Sequence, residues 1–138
     1  MTEIERVETE LAIDMVESLA DMIGAAIEKS NGEYDLDDIA DLIRDGYMYM
    51  LVATKEHKIM AVFLTEVIQY PRKTAIRLSL GAGEGMDEWA KPLYETMVAG
   101  AQNIGAELIE VQGRPGWGRF LKQFGCEDKY HIVTKEVA

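Results

Sequence analysis

The apolar patterning of the chain predicts an α/β (α+β) domain built on a mixed, mostly antiparallel, twisted sheet flanked by helices. Three observations carry this reading. Residues 5–30 repeat apolar side chains every three or four positions. Residues 47–80 switch to strand-like runs separated by short polar turns. Glycine then punctuates the second half, at Gly81, Gly83 and Gly85, at Gly105, and at Gly113, Gly116 and Gly118.

Each element follows in chain order. Val7, Leu11, Met15, Leu19, Met22, Ile23, Ala26 and Ile27 form one apolar stripe, which predicts a helix over Glu5–Ser30. Ser30-Asn31-Gly32 ends it, and a short first strand has room near Glu3–Arg6. Asp35 and Asp38 have the spacing of an approximate capping box for a second helix, which Gly46 stops. Tyr47–Thr54, Ile59–Gln69 and Thr74–Leu80 read as strands joined by the polar turns at 55–58 and 70–73, an antiparallel meander. In the third strand Ala75, Arg77 and Ser79 alternate with Ile76, Leu78 and Leu80. Asp87 is positioned to cap a helix over Glu88–Ile104, with Pro92 bending its first turns or delaying its start to about Lys91. Glu107–Gln112 reads as a strand, Trp117–Phe124 as a helix and Asp128–Val137 as a closing strand. The predicted order is α-α-β-β-β-α-β-α-β in one domain over residues 1–138.

Charge and cysteine usage narrow the classes of function. Net charge is −11, and it is unevenly placed. Residues 1–46 carry fourteen acids against Arg6, Lys29 and Arg44, so the first third accounts for all of it. An acidic face repels a phosphate backbone, which argues against nucleic-acid binding and leaves a protein partner or self-association. Apolar runs are too short to span a membrane, and the acidic start does not resemble a secretory signal. Cys126 is the only cysteine, and His57 and His131 are isolated, so no disulfide framework and no metal site are expected. The expected location is the cytoplasm or another reducing compartment.

The densest candidate for chemistry is Gly113–Arg119, where three glycines, two arginines, a proline and Trp117 crowd into a strand-to-helix corner. Gly113, Arg114, Gly116, Trp117 and Arg119 are therefore candidates for an interaction surface or a structural corner. In the structural version Trp117 fills the gap between helix and sheet, and Arg114 or Arg119 pairs with Glu110 or Glu127.

The element order, with a glycine-rich turn after the third meander strand and a long helix behind it, resembles the GCN5-related N-acetyltransferase (GNAT) fold. The motif G-R-x-G-W-x-R-x-L-x-x-x-G at Gly113–Gly125 also resembles the small GNAT-like proteins of tailed bacteriophages, of the internal virion or assembly type. The resemblance implies that Gly81, Gly83 and Gly85 cradle the pyrophosphate of acetyl-CoA through backbone N–H groups at a helix start. Arg114 and Arg119 are candidates to supply phosphate contacts, and Glu66 is the candidate general base.

Two departures from the family pattern weaken that assignment. Glu84, Asp87 and Glu88 crowd acids around the phosphate loop, which itself has no Arg, Lys or Gln. Leu121 stands where the family carries its acid tyrosine, leaving Tyr94, Tyr130 or Cys126 as substitutes. The sequence therefore predicts a GNAT-fold protein with a degenerate acetyl-CoA site, needing no cofactor and leaning away from enzyme activity, as a non-catalytic phage structural, assembly or internal virion protein. The alternatives are an active acyl-CoA-dependent N-acetyltransferase and an acidic anti-host binding protein.

Overall fold

A computed structural model of the chain describes residues 1–113 and 115–137. Five strands form one sheet in sequence order: β1 (Thr2–Val7), β2 (Tyr49–Lys55), β3 (Lys58–Gln69), β4 (Thr74–Gly83) and β5 (Leu108–Val111). All neighbours are antiparallel except β4 and β5, which are parallel. That pair is joined by the long helix α4 (Met86–Ile104), as a parallel crossover requires. Helices α1 (Thr9–Ser18), α2 (Ala20–Glu28) and α3 (Leu36–Arg44) precede β2, and α5 (Pro115–Leu121) follows β5.

The sheet separates two cores. On one face, Ile23, Ile39 and Ile43 from the early helices pack on Met50, Val52, Val62, Leu64 and Leu80. On the other, Trp89, Leu93 and Met97 of α4 pack on Leu51, Ala61, Phe63 and Leu78. A sheet covered on both faces gives the apolar runs seen in β2 and β3, whose middle residues are buried. A β-bulge between Leu64 and Thr65 shifts the β3–β4 register, so Leu64 faces Leu80 while Thr65 faces Leu78. Ser79 is the extra residue.

Local chemistry explains the element ends. The Asp35–Asp38 capping box forms, each side chain accepting from the other's backbone N–H at 2.9 and 3.0 Å. The β2–β3 hairpin turns on Glu56 and His57, both at positive φ, which matches the twist of its strands.

Several predicted boundaries change. The first strand is longer than its sequence suggests, and the single N-terminal helix is two helices meeting at Leu19. Ser18 there donates its hydroxyl to the Met15 carbonyl, a local bond that competes with helix continuation. Helix α4 runs unbroken from Met86 through Pro92, with Gly85 rather than Asp87 at its N-cap. The closing strand at Asp128–Val137 is absent: that segment has no regular structure. Tyr130, Ile132, Val133 and Val137 are all exposed, so no burial offsets the cost of ordering them.

Candidate active site

The feature that organises the site is a fork in the sheet. β4 and β5 pair from Ala75–Leu108 to Leu78–Val111, and the Gln112 N–H still bonds the Leu78 carbonyl at 3.0 Å. Beyond that point β4 continues through Ser79 to Gly83 with β3 on one side only, while β5 has ended. The opening is therefore between β4 and β5, with β3 lying behind β4 in the sheet.

At the far end of the fork lies the glycine loop. Gly83, at φ +135°, crosses so close to β3 that a Cβ there would stand 2.4 Å from Ala61 Cα and from the Met60 carbonyl oxygen. Only glycine fits. The Glu84 N–H bonds that same Met60 carbonyl at 3.1 Å, and the Trp89 indole N–H bonds the Glu84 carbonyl at 2.8 Å. The loop is thereby fixed at the start of α4, where the Glu88 and Trp89 N–H groups bond the Gly85 carbonyl at 2.8 and 3.2 Å. The Met86 and Asp87 amides ahead of them have no acceptor within the helix and favour an anion.

The acids around this loop are less adverse than the sequence suggests. Glu88 is held by Lys55 of the β2–β3 hairpin, with Nζ 3.0 and 3.1 Å from its two carboxylate oxygens, and by the Thr2 hydroxyl at 3.2 Å. The hydrogen bond from Lys55 lowers the Glu88 carboxyl below its ordinary value, and the same bond raises Lys55. Lys55 thus neutralises one of the three acids around the loop. Its distance in sequence hid it, and only the β2–β3 register brings it to α4.

Trp117 occupies the fork from the α4 side. Its Cη2 lies 3.2 Å from where a Cβ on Gly81 would stand, and its Cβ and Cγ lie 3.0 and 2.9 Å from one on Gly113. It also packs on Trp89, with ring centroids 5.5 Å apart. The space left among Leu78, Ile109, Val111, Trp117, Leu121 and Cys126 is about 10 Å³, no more than one water needs. Leu121 is buried, and Tyr94 and Cys126 line the same space. Burial raises the Cys126 thiol above its ordinary value, so it stays protonated near neutrality. Tyr94 stacks on Phe124, whereas Tyr130 is 73% exposed on the tail.

The opposite face of the sheet, under α2 and the chain leading into α3, carries a polar cluster. Glu66 on β3 accepts a hydrogen bond from the Ser79 hydroxyl on β4. Next to it, Arg77 donates from Nε to Glu110 at 3.1 Å and from Nη2 to the Tyr70 oxygen at 3.0 Å, while the Tyr70 hydroxyl donates to Glu110 at 2.7 Å. Tyr34 lies over this cluster, its phenol raised first by burial and then by Glu66 and Glu33.

The sequence-predicted residues thus divide. Gly81, Gly113 and Trp117 meet in the fork; Gly83 and Gly85 shape the loop; Glu66 is half-buried on the other face. Arg119 is exposed on α5, and Arg114 lies outside the described residues. Among the described residues, Glu110 pairs with Arg77 and Glu127 with Lys129, and neither pairs with Arg119. The sequence reading missed Lys55, Arg77, Ser79 and Tyr70 as site residues and named Glu110 only as a partner of Arg114 or Arg119. Alternation in β4 put Arg77 and Ser79 on one face, but their partners lie on other strands.

No family model and no curated protein sequence matches the chain. Solved structures match its fold over nearly its whole length. An aminoglycoside acetyltransferase from an uncultured soil metagenomic sample, in complex with sisomicin, superposes with a TM-score of 0.71 at 18% identity, covering 99% of this chain and 97% of that one. A predicted acetyltransferase from Clostridium acetobutylicum with acetyl-CoA gives 0.70 at 13% identity, covering 99% and 96%. Glucosamine-6-phosphate N-acetyltransferase from Arabidopsis thaliana gives 0.69 at 13% identity, covering 100% and 99%.

The chain therefore has the GNAT-like fold, a twisted, largely antiparallel sheet flanked by helices. The same findings overturn the expectation of a non-catalytic phage or virion protein that needs no cofactor. The structures of this shape named above are acetyltransferases, and one of them holds acetyl-CoA. Among the described residues, no helix is long and apolar enough to cross a membrane.

Proposed function

We propose that this chain is an acyl-CoA-dependent N-acetyltransferase, acting as one domain on a primary amine. The observation that carries the reading is the fork, which ends in a glycine loop at the start of α4. An unpaired strand edge past Leu78 offers backbone hydrogen bonds to an extended, amide-bearing ligand. The loop amides and the α4 N-terminus favour its phosphates, and Lys55 offsets the negative charge of Glu88 beside them. Gly81, Gly83 and Gly85 allow the backbone to come this close.

Acetyl-CoA would bring an activated thioester to the site. Glu66 is the general base: it takes the proton that the acceptor nitrogen releases on acylation, with the Ser79 hydroxyl holding its carboxylate in place. Tyr94 or the protonated Cys126 thiol, which share the space at the fork, returns a proton to the departing sulfur. Trp117 now fills that space, so the indole must leave the fork when the ligand enters. Orientation of amine against thioester supplies much of the rate, which lessens the demand on any one proton donor.

Acetyl transfer measured by release of free thiol, with sisomicin, spermidine and glucosamine 6-phosphate as acceptors, tests the reading. Turnover with any of them that is lost in Glu66→Gln supports it. Turnover unchanged by that substitution removes Glu66 as the base.

A further inference from the structure

We propose that Glu110 and Tyr70 are positioning residues that hold Arg77 away from Glu66, leaving the Glu66 carboxylate free to accept a proton. The inference rests on the reading of Glu66 as the base of acetyl transfer.

The register sets up a competition. Glu66 is paired with Arg77 across β3 and β4, and Arg77 is paired with Glu110 across β4 and β5. A guanidinium thus stands in a row between two carboxylates on one face of the sheet. Opposite charges directly across a ladder attract, so Arg77 has two partners within reach. It takes only one. Its Nε bonds Glu110, its Nη2 bonds the Tyr70 oxygen, and the Tyr70 hydroxyl bonds the second Glu110 oxygen, which closes a three-membered ring. Among the described residues, no ion pair reaches Glu66.

Two features bias the outcome. Tyr70 comes from the β3–β4 turn, where its N–H bonds the Lys73 carbonyl at 2.8 Å, so its phenol is delivered to the Glu110 side. The bulge at Ser79 puts a hydroxyl next to Glu66, which satisfies that carboxylate without a cation. Arg77 is raised above its ordinary value although partial burial opposes this, because the bonds to Glu110 and Tyr70 outweigh it. Arg77 therefore keeps its charge across the pH range in which a carboxylate titrates.

Among the described residues, Ser79 and Arg77 of β4 and Tyr34 from the chain before α3 face Glu66 directly, with Glu110 and Tyr70 behind Arg77 and Glu33 beside Tyr34. The charged residues of α2, Asp21 and Glu28, and Lys29 after it, are exposed. In the tail, Thr134 accepts from the Asn31 side chain at 3.2 Å, and its neighbours Lys135 and Glu136 are exposed. Of these groups, Arg77 is the cation whose position decides how easily Glu66 takes a proton.

The test needs no acceptor. The Glu66 carboxyl carbon is titrated by NMR in the whole protein, assigned by its loss in Glu66→Gln. In Glu110→Gln, Arg77 turns to Glu66, and the titration moves to lower pH by about one unit or more, the size an adjacent arginine produces. Tyr70→Phe moves it the same way by less. Arg77→Gln added to Glu110→Gln reverses the move. A Glu66 titration unchanged in both Glu110→Gln and Tyr70→Phe overturns the proposal. So does a shift that persists without Arg77, since the ring would then only staple strands.

Circular dichroism on each variant checks that the fold is intact, and Tyr70→Phe, which deletes a single oxygen, carries the test should Glu110→Gln unfold. If the titration shifts as expected but Glu66→Gln retains full acetyl transfer, the base assignment falls while the electrostatic arrangement stands.

Discussion

The two faces of the β4–β5 fork are built from opposite materials. On the α4 side the fork is closed by packing: Trp117 lies against Gly81, Gly113 and Trp89, and almost no space remains. On the α2 side it is lined by hydrogen-bonded charge: Glu66 with Ser79, and Arg77 with Glu110 and Tyr70. Packing adapts by moving a side chain, because dispersion contacts have little directionality. A closed ring of charge-assisted bonds resists rearrangement, because each broken bond exposes a half-buried charge. The difference suggests a division of labour, with the apolar side yielding to a ligand and the polar side holding the reacting groups still.

That contrast breaks most sharply at Glu66. Glu66→Gln keeps size and the Ser79 contact but removes the base. Acetyl transfer should fall by about 10²- to 10⁴-fold in kcat, with the KM for acetyl-CoA nearly unchanged. The apolar side should respond in stability instead. Trp117→Ala should cost about 3 kcal/mol in urea unfolding, the low end for a tryptophan because this one is only half-buried, yet should still bind acetyl-CoA. In a Trp89→Phe background Trp117 is the only indole, and its emission should change on adding acetyl-CoA as it leaves the fork. Unchanged emission with binding present would mean that the ligand enters without moving it.

At the loop, Gly83→Ala should destabilise by about 2 kcal/mol, because its φ and its contact with Ala61 both exclude a side chain; thermal unfolding reads this. The smallest effect belongs to Lys55. Lys55→Ala should weaken acetyl-CoA binding about three- to tenfold at low salt, and the difference should vanish near 1 M salt, where exposed charges are screened.

Much of this fold was legible in the sequence, because both helix stripes and the three meander strands carry their burial pattern in their own residues. The Asp35–Asp38 cap and the glycine stops were local too. The closing strand failed for a reason that patterning does not contain: Tyr130, Ile132 and Val133 have the composition of a strand, but none is buried. The site was less legible. Trp117 was recognisable as a packing anchor, and Glu66 as a candidate base. The Arg77–Glu110–Tyr70 ring joins three separate elements, and it depends on cross-strand register and on a bulge at Ser79 that no residue type announces. Lys55 escaped for the same reason, since its role comes from the hairpin packing near α4. The motif that looked richest, Gly113–Gly125, proved to hold the apolar side of the fork.

The central claim is that the fork and its glycine loop receive an acyl-CoA. Isothermal calorimetry with acetyl-CoA on the intact chain tests it most directly, with thermal unfolding as its companion. Binding should appear as a single saturable site, with a stabilisation of about 2.7 kcal/mol at a hundredfold excess over Kd. No heat of binding and no change in Tm at about 1 mM acetyl-CoA, a concentration that would detect even binding of about 4 kcal/mol, would contradict it.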